Sequence, residues 1–409
     1  MRKTLATLSL ATLALLAGCG GPKTDAQGFT IDPDFEKNLQ QKLLDAKPGS
    51  VVEIPAGKYA LSRSLSLTAN GVTVKGAGMD KTILSFAKAT SGAEGMLVTG
   101  DDFTIQDLAF EDSKGDALKI NGTRNAVMRR VRAEWTGGSK TTNGAYGLYP
   151  VQVTNVLIEQ SVVKGASDAG IYVGQSSNII VRDNRAEGNV AGIEIENSSH
   201  ADVYGNTATN NAGGILVFNM PNLPVPGSKT RVYKNIVDAN NHDNFGAKGS
   251  AVSSVPPGSG VIVNSNDEVE IFDNDLKHNK TANVIISSYY STGFDTKRGI
   301  STAYDPYPEN IYVTANRFTG GGDNPGGRFT PMKALAGGRL PDILWDGYTN
   351  PKLKTAGICV QNGAAKLLNA DGPGKFANAR IDTGVNCAPA TRLPAIVLPA
   401  AMTKDSGKP

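Results

Sequence analysis

Apolar and polar residues alternate in short runs along most of the chain, and in its middle these runs return every 22 residues. Ala169-Gly170-Ile171 comes back as Ala191-Gly192-Ile193 and again as Gly213-Gly214-Ile215. A second segment repeats in phase. Asn178-Ile179-Ile180-Val181-Arg182-Asp183-Asn184 returns as His200-Ala201-Asp202-Val203-Tyr204-Gly205-Asn206, with Val203 and Asn206 in the places of Val181 and Asn184. Alternation at period two marks strands, and the repeating units lack helix-length periodicity. A repeat of this length signals a solenoid, whose units bury their apolar faces only by stacking on one another. The expectation is an all-β solenoid with Ile171, Val173, Ile193, Ile195, Ile215 and Val217 pointing inward. Its coils should lie about 4.8 Å apart.

The register extends both ways. Phe103 to Leu108, Val127 to Val131 and Val156 to Ser161 are earlier coils; Val232 to Asn235, Ile271 to Asn274 and Ile311 to Asn316 are later ones. Spacing lengthens late, from Asn206 to Asn235, to Asn274, to Asn316, and insertions in a solenoid map to loops. Pro221 to Gly227 and Asp243 to Gly260 are the expected loops. The asparagines at 184, 206, 235, 274 and 316 read as a ladder at a turn, because Asn tolerates left-handed backbone and bonds neighbouring amides. Asp32-Pro33 reads as a helix start, and Phe35, Leu39 and Leu43 share one face of the helix that follows. Such a helix would cover the first coil's open edge. After about Gly320 the repeat fades into glycine- and proline-rich sequence, read as an irregular cap, and Ala388 to Pro409 as a tail.

The order of a helix, "PGSVVEIPAGKYAL" from Pro48, "GVTVKGAG" from Gly71 and "TIL" from Thr82 closely resembles the start of right-handed parallel β-helix proteins of the pectate-lyase type. The resemblance covers residues 30–320 and implies a single-stranded parallel β-helix with an N-terminal capping helix. A wider set of motifs resembles a bacterial family of exported parallel β-helix repeat proteins. These are "DAGIYVGQ" from Asp168, "GIEIEN" from Gly192, "GILVF" before Pro221 and "VPPGSGV" from Val255. Members of that family are often encoded beside an exported protein similar to a dihaem cytochrome c, which the resemblance implies as a partner. It carries over no catalytic residue, and fold analogy alone does not give activity.

The first residues are a processing segment. Arg2 and Lys3 precede an apolar stretch, Leu5 to Leu16, and Leu16-Ala17-Gly18-Cys19 resembles the bacterial lipobox. The domains expected are a signal peptide over 1–18, lipidated Cys19 with a tether over 19–29, a β-helix over 30–320, and a cap and tail over 321–409. Gly20 after the lipidated Cys resembles an outer-membrane destination in Gram-negative sorting, with the protein held by its lipid and not by a span. In an exported chain Cys359 and Cys387 are expected to pair. Without Arg2 and Lys3 the 41 basic residues become 39 against 38 acidic ones, and aromatics are 6%. Neither figure suits nucleic acid. No Cys-x-x-Cys-His is present, so the chain itself binds no c-type haem.

Register places Lys119, Tyr149, Tyr172 and Glu194 in one outward column that continues to Leu216, with Glu196 on the same side two residues along. Tyr can stack on sugar rings and Lys can pair with a uronate. That column is the expected ligand site, for a cell-envelope polysaccharide or a partner protein; the competing reading is an ordinary solvated face. Were the protein a lyase or epimerase acting on a uronic-acid polymer, Lys119 would neutralise charge or act as base, Tyr172 would donate the proton and Glu194 would hold substrate or a cation. Arg129, Arg130, Arg132 and Arg182 would assist only if stacking gathered them there. Tyr304-Asp305-Pro306-Tyr307 comes near the Asp-Pro-His motif of alginate epimerases and lacks its His. No cofactor is expected. Glu194 with Glu196, and the Asp238–Asn244 loop, are weak calcium candidates, and His200, His242 and His278 read as turn residues, not metal ligands.

Overall fold

The structure is a computed structural model that describes residues 23–292, 300–326, 329–383, 387 and 392–405. The expected signal peptide and Cys19 lie outside the described residues. Each coil lays down three short parallel strands, such as Ala169–Gly174, Ser177–Arg182 and Arg185–Glu187. Stacked coils therefore present three faces, called here face 1, face 2 and face 3 in that chain order. Face 1 is a sheet of its own, and faces 2 and 3 merge into a second sheet through two long strands, Phe103–Glu111 and Arg124–Glu134. Along face 1, Ile171 pairs with Ile193, then Ile215, Val261 and Val284. All five are completely buried, as are Val173, Ile195 and Val217. Period-two alternation has sent these side chains inside and their neighbours outside.

The helix Phe35–Leu44 closes the first coil. It begins after Asp32-Pro33, because the Asp32 carboxylate accepts the Asp34 N–H at 3.2 Å and forms a turn first. Leu39 and Leu43 are buried. Gln40 donates to the Ser66 carbonyl and accepts the Ser66 N–H, pairing the backbone of the first face-1 strand, Leu65–Leu67. An edge that would otherwise be open is thus covered and bonded.

The asparagine ladder forms and is longer than expected. The Oδ1 of Asn206 accepts both the backbone N–H and the Nδ2 of Asn184, and the same pair of bonds joins Asn206 to Asn235, Asn235 to Asn274, Asn274 to Asn316 and Asn316 to Asn362. The left-handed residue is not the ladder Asn but the one before it: Asp183, Gly205, Lys234, Asp273 and Ala315 all have positive φ. A second ladder, unforeseen, runs through Asn189, Asn211, Asn240 and Asn279 at the corner between face 3 and face 1.

Coil stacking also outlasts residue 320, so the boundary expected there lies too early. Ile343–Trp345 and Lys366–Asn369 extend face 1, and Cys359–Gln361 extends face 2. Insertions between coils had hidden the register. Cys359 and Cys387 form a disulfide. Residues 392–405, read as a tail, instead run back along the second sheet. Leu398 and Met402 pack on Val127, Leu157 and Ile180, while Ile396 N–H bonds Asp202 and Leu393 N–H bonds Glu270.

Replacing Asn206 by Ala strips the acceptor from two donors of Asn184 inside the core. The expected loss is about 3 kcal/mol of unfolding free energy, since an orphaned buried polar group costs on the order of 1–3 kcal/mol. A denaturant titration showing a loss below about 1 kcal/mol would mean that water or relaxation replaces the ladder.

Candidate functional site

The outward column lies where the register put it, on face 1. Lys119 pairs with Tyr149, Tyr172 with Glu194, and Glu194 with Leu216; Leu148 pairs with Ile171, which sets Tyr149 beside Tyr172. The side chains do not all stand outward into solvent. Tyr172 is 6% exposed and Glu194 4%. The Tyr172 ring lies flat over Gly174, where a Cβ would come within 2.4 Å of it. Lying flat carries its hydroxyl one coil across to donate to Glu196 Oε1 at 2.7 Å. Glycine at 174 is what makes this possible. Tyr149 and Lys119 remain partly exposed, with Lys119 Nζ 5.0 Å from the centre of the Tyr149 ring.

Three residues not foreseen complete the cluster: Asp116, Tyr146 and Asp168. Asp116 accepts the Tyr146 N–H at 3.2 Å. Tyr146 stacks against both Tyr149 and Tyr172, with ring centres 4.5 Å apart in each case, and its hydroxyl lies 3.5 Å from Asp168. The signal was available, since Asp116 opens the Lys119 strand and Asp168 immediately precedes the Ala-Gly-Ile repeat. Four carboxyl groups therefore share one patch of face 1.

Burial dominates their electrostatics. Desolvation, then the charge of Glu196, raise Asp168 to about 7; desolvation raises Glu196 to about 7, against the Tyr172 hydrogen bond that lowers it. Asp116 rises to about 6 by desolvation, with Lys119 pulling the other way. Glu194 is pushed well above the usual carboxylate range by burial and by Glu196 and Asp168. The Tyr172 hydroxyl is also driven strongly upward, by burial and then by Glu196 and Glu194. Such a phenol holds its proton more tightly than a free tyrosine does.

The arginines do not join this patch. Arg129 and Arg130 project from face 2, Arg132 from face 3 and Arg182 from face 2, each against carboxylates of the second sheet. Arg129 pairs with buried Glu159 and donates to the Met402 and Lys404 carbonyls; Arg182 Nε bonds Glu159 at 2.7 Å; Arg132 bonds Glu111 at 2.9 Å. Arg130 bonds Asp107 and Asp405. Among the described residues no three His, Cys, Asp or Glu are grouped to hold a metal ion. In the Asp238–Asn244 loop, Asp238 meets His278 and Lys277, Asn240 belongs to the second ladder, and Asn244 bonds two backbone carbonyls. His200 and His278 adopt positive φ, as turn residues do.

A model of a right-handed beta helix region matches residues 135–318, and a model of the rhamnogalacturonase A/epimerase, pectate lyase-like family matches residues 34–222. The full-length tailspike protein 2 of an Escherichia coli O157:H7 bacteriophage is similar at 10% identity with TM-score 0.50, over 80% of this chain and 40% of the tailspike. The A-module of a mannuronan C-5 epimerase from Azotobacter vinelandii is similar at 18% identity with TM-score 0.49, over 80% of this chain and 87% of the module. Endopolygalacturonase I from Stereum purpureum is similar at 14% identity with TM-score 0.42, over 69% and 94% of the two chains. No curated protein sequence matches. Likeness at these identities is one of fold. Three stacked parallel faces, family models that match residues 34–222 and 135–318, and the tailspike superposition show that this chain has the right-handed parallel β-helix fold.

Proposed function

We propose that this protein is an exported, lipid-anchored β-helix protein that binds a glycan of low charge on face 1 and performs acid–base chemistry on it, cleaving a glycosidic bond. The carrying observation is the Asp168–Glu196 pair. Both carboxyls rise to about 7, and the charge of Glu196 acts on Asp168. Two carboxyls coupled in this way titrate as a unit, and near neutrality the pair holds one proton. It then offers one acid and one carboxylate, the complement that glycoside cleavage uses. Tyr149, partly exposed at the edge of the patch, supplies a ring face for a sugar. A family model described as rhamnogalacturonase A/epimerase, pectate lyase-like, supports a saccharide ligand. The disulfide supports an oxidising compartment, consistent with export and with attachment through Cys19.

The charge balance argues against a uronic-acid polymer. A polyuronate would bring its own carboxylates to four carboxyls of the protein. Lys119 acts on Asp116, the outermost of them, and sits over Tyr149. A lyase or epimerase needs a cation at the charge developing on the uronate, and Arg129, Arg130, Arg132 and Arg182 are committed on the other faces.

The chain from Gly20 onward is tested by affinity electrophoresis in gels of neutral glycans, alginate and polygalacturonate, then by release of reducing ends. Retardation and cleavage are expected with a neutral glycan. Glu196→Gln should cut the rate at least about 100-fold while leaving retardation intact; Tyr149→Ala should weaken retardation. Unsaturated products from alginate or polygalacturonate would reverse the assignment in favour of elimination. No retardation in any gel would remove the glycan reading and direct the search to a protein partner.

The same pair predicts how stability depends on pH. The folded chain holds its protons to about pH 7, whereas the unfolded carboxyls lose theirs near pH 4. Between those values the native state binds more protons, so this contribution to stability falls as pH rises and flattens above about 7. Wild type should therefore lose more denaturant resistance from pH 5 to pH 8 than the Asp168→Asn/Glu196→Gln variant does. Equal losses in both proteins would contradict the raised titration of the pair.

A further inference from the structure

Face 1 changes character at Phe218. Glu196 pairs with Phe218, Phe218 with Asn264 and Asn264 with Ser287, one column running from the carboxyl patch toward the C-terminal coils. Beyond Phe218, loops inserted on both sides of face 1 fold over it and leave a cavity of about 440 Å³. Its lining is chiefly apolar, with Phe218, Ile262, Ile285, Leu344, Phe329 and Met332. That volume falls in the range of small-molecule sites.

One lining residue is out of keeping with the rest. Asn264 has no exposed surface, its Oδ1 accepts the Ser287 hydroxyl at 3.0 Å, and its Nδ2 has no hydrogen-bond partner. A buried amide donor left unpaired costs stability that a Leu at this position would not. Asp346, the charged residue of the lining, is already spent. It accepts the Ser288 N–H at 2.6 Å, the Ser288 hydroxyl at 2.7 Å, the Ser291 hydroxyl at 2.6 Å and the Tyr348 N–H at 3.2 Å. Among the described residues no lysine, arginine or histidine lines the cavity.

We propose that this cavity is a second binding site, for a neutral, largely apolar molecule or substituent that carries one hydrogen-bond acceptor, such as an ester or ketone carbonyl, received by Asn264 Nδ2. The apolar walls take the hydrocarbon, and the orphaned N–H takes the oxygen. A carboxylate finds no cation among the described lining residues and meets Asp346 instead. This site lies two coils along face 1 from Glu196 and does not rest on the glycan reading.

The test uses the chain from Gly20 onward and prodan, a neutral aryl ketone whose emission shifts to the blue in apolar surroundings. Saturable binding at one site is expected, with methyl octanoate displacing prodan and octanoate displacing it at least ten-fold less well. Asn264→Leu should weaken prodan roughly five-fold, the worth of one neutral hydrogen bond, while raising the thermal midpoint because the orphan is gone. Ala370→Leu, which fills the cavity from its floor, should abolish the blue shift. Absence of saturable binding overturns the site. Equal competition by octanoate overturns its neutrality. Unchanged affinity in Asn264→Leu, with a lowered midpoint, overturns the role of Asn264 and makes it a structural residue.

Discussion

The corner amides hold this molecule to one register. At two of the three corners of the middle coils an asparagine sits inside the wall and spends both ends of its amide on the coils beside it. Each buried amide needs its partner one coil away, so a slip of one residue would orphan a whole column of polar groups. The same constraint explains the Ala-Gly-Ile repeat. A Cβ on Gly170 would approach the Asn189 amide nitrogen to 2.8 Å, on Gly192 that of Asn211 to 2.8 Å, and on Gly214 that of Asn240 to 2.9 Å. Glycine recurs there because the second ladder, together with a valine side chain or the carbonyl of the next coil, occupies the space. The apolar interior supplies the driving force, and the ladders decide which stacking uses it.

A fixed register makes each outward position a column, and columns let one face differ from another. The second sheet carries its charges in pairs: Arg129 with Glu159, Arg231 with Asp202, Arg132 with Glu111, closed over by residues 392–405. Face 1 gathers Asp116, Asp168, Glu194 and Glu196 with no arginine. Carboxyls desolvated without an arginine beside them bind their protons more tightly. The arginines on the other faces are therefore part of the explanation of the site. Because they are satisfied elsewhere, burial raises the face-1 carboxyls, and the Asp168–Glu196 pair is brought to about 7.

Much of this was legible, and the failures have identifiable causes. Period-two alternation and the 22-residue repeat were enough for the coils, the inward residues and the order Lys119, Tyr149, Tyr172, Glu194. The second ladder was equally visible, since Asn189, Asn211, Asn240 and Asn279 recur at the intervals of Asn184, Asn206, Asn235 and Asn274. It was hidden among asparagines read as turns. Register gives the face of a side chain and not its rotamer, so Tyr172 was expected to stand out when it lies down over Gly174. Asp116 and Asp168 sit at strand entries, where alternation no longer says which way a residue points. The closing strap had no periodic signal at all, because Leu398 and Met402 bury themselves on the outside of a sheet that the solenoid pattern leaves to solvent.

Insertions then divide face 1 along its length. The early coils follow one another by short corners, and their outer surface stays open enough for Lys119 and Tyr149 to meet solvent. From Phe218 onward the longer connections fold over the same face and give it a second apolar layer, in which Leu216, Ile262, Ile285 and Leu344 pack against Val252, Val255, Met332 and Leu340. A β-helix needs no such layer to be stable, because its core is already inside the coil. Loops that cover an outer face without filling it create a space of defined shape at a fixed distance from the open patch. The position of Asn264 on the column that begins at Glu196 ties the two regions to one rigid ruler, about 4.8 Å per coil. A ligand long enough to touch both would be measured against that spacing.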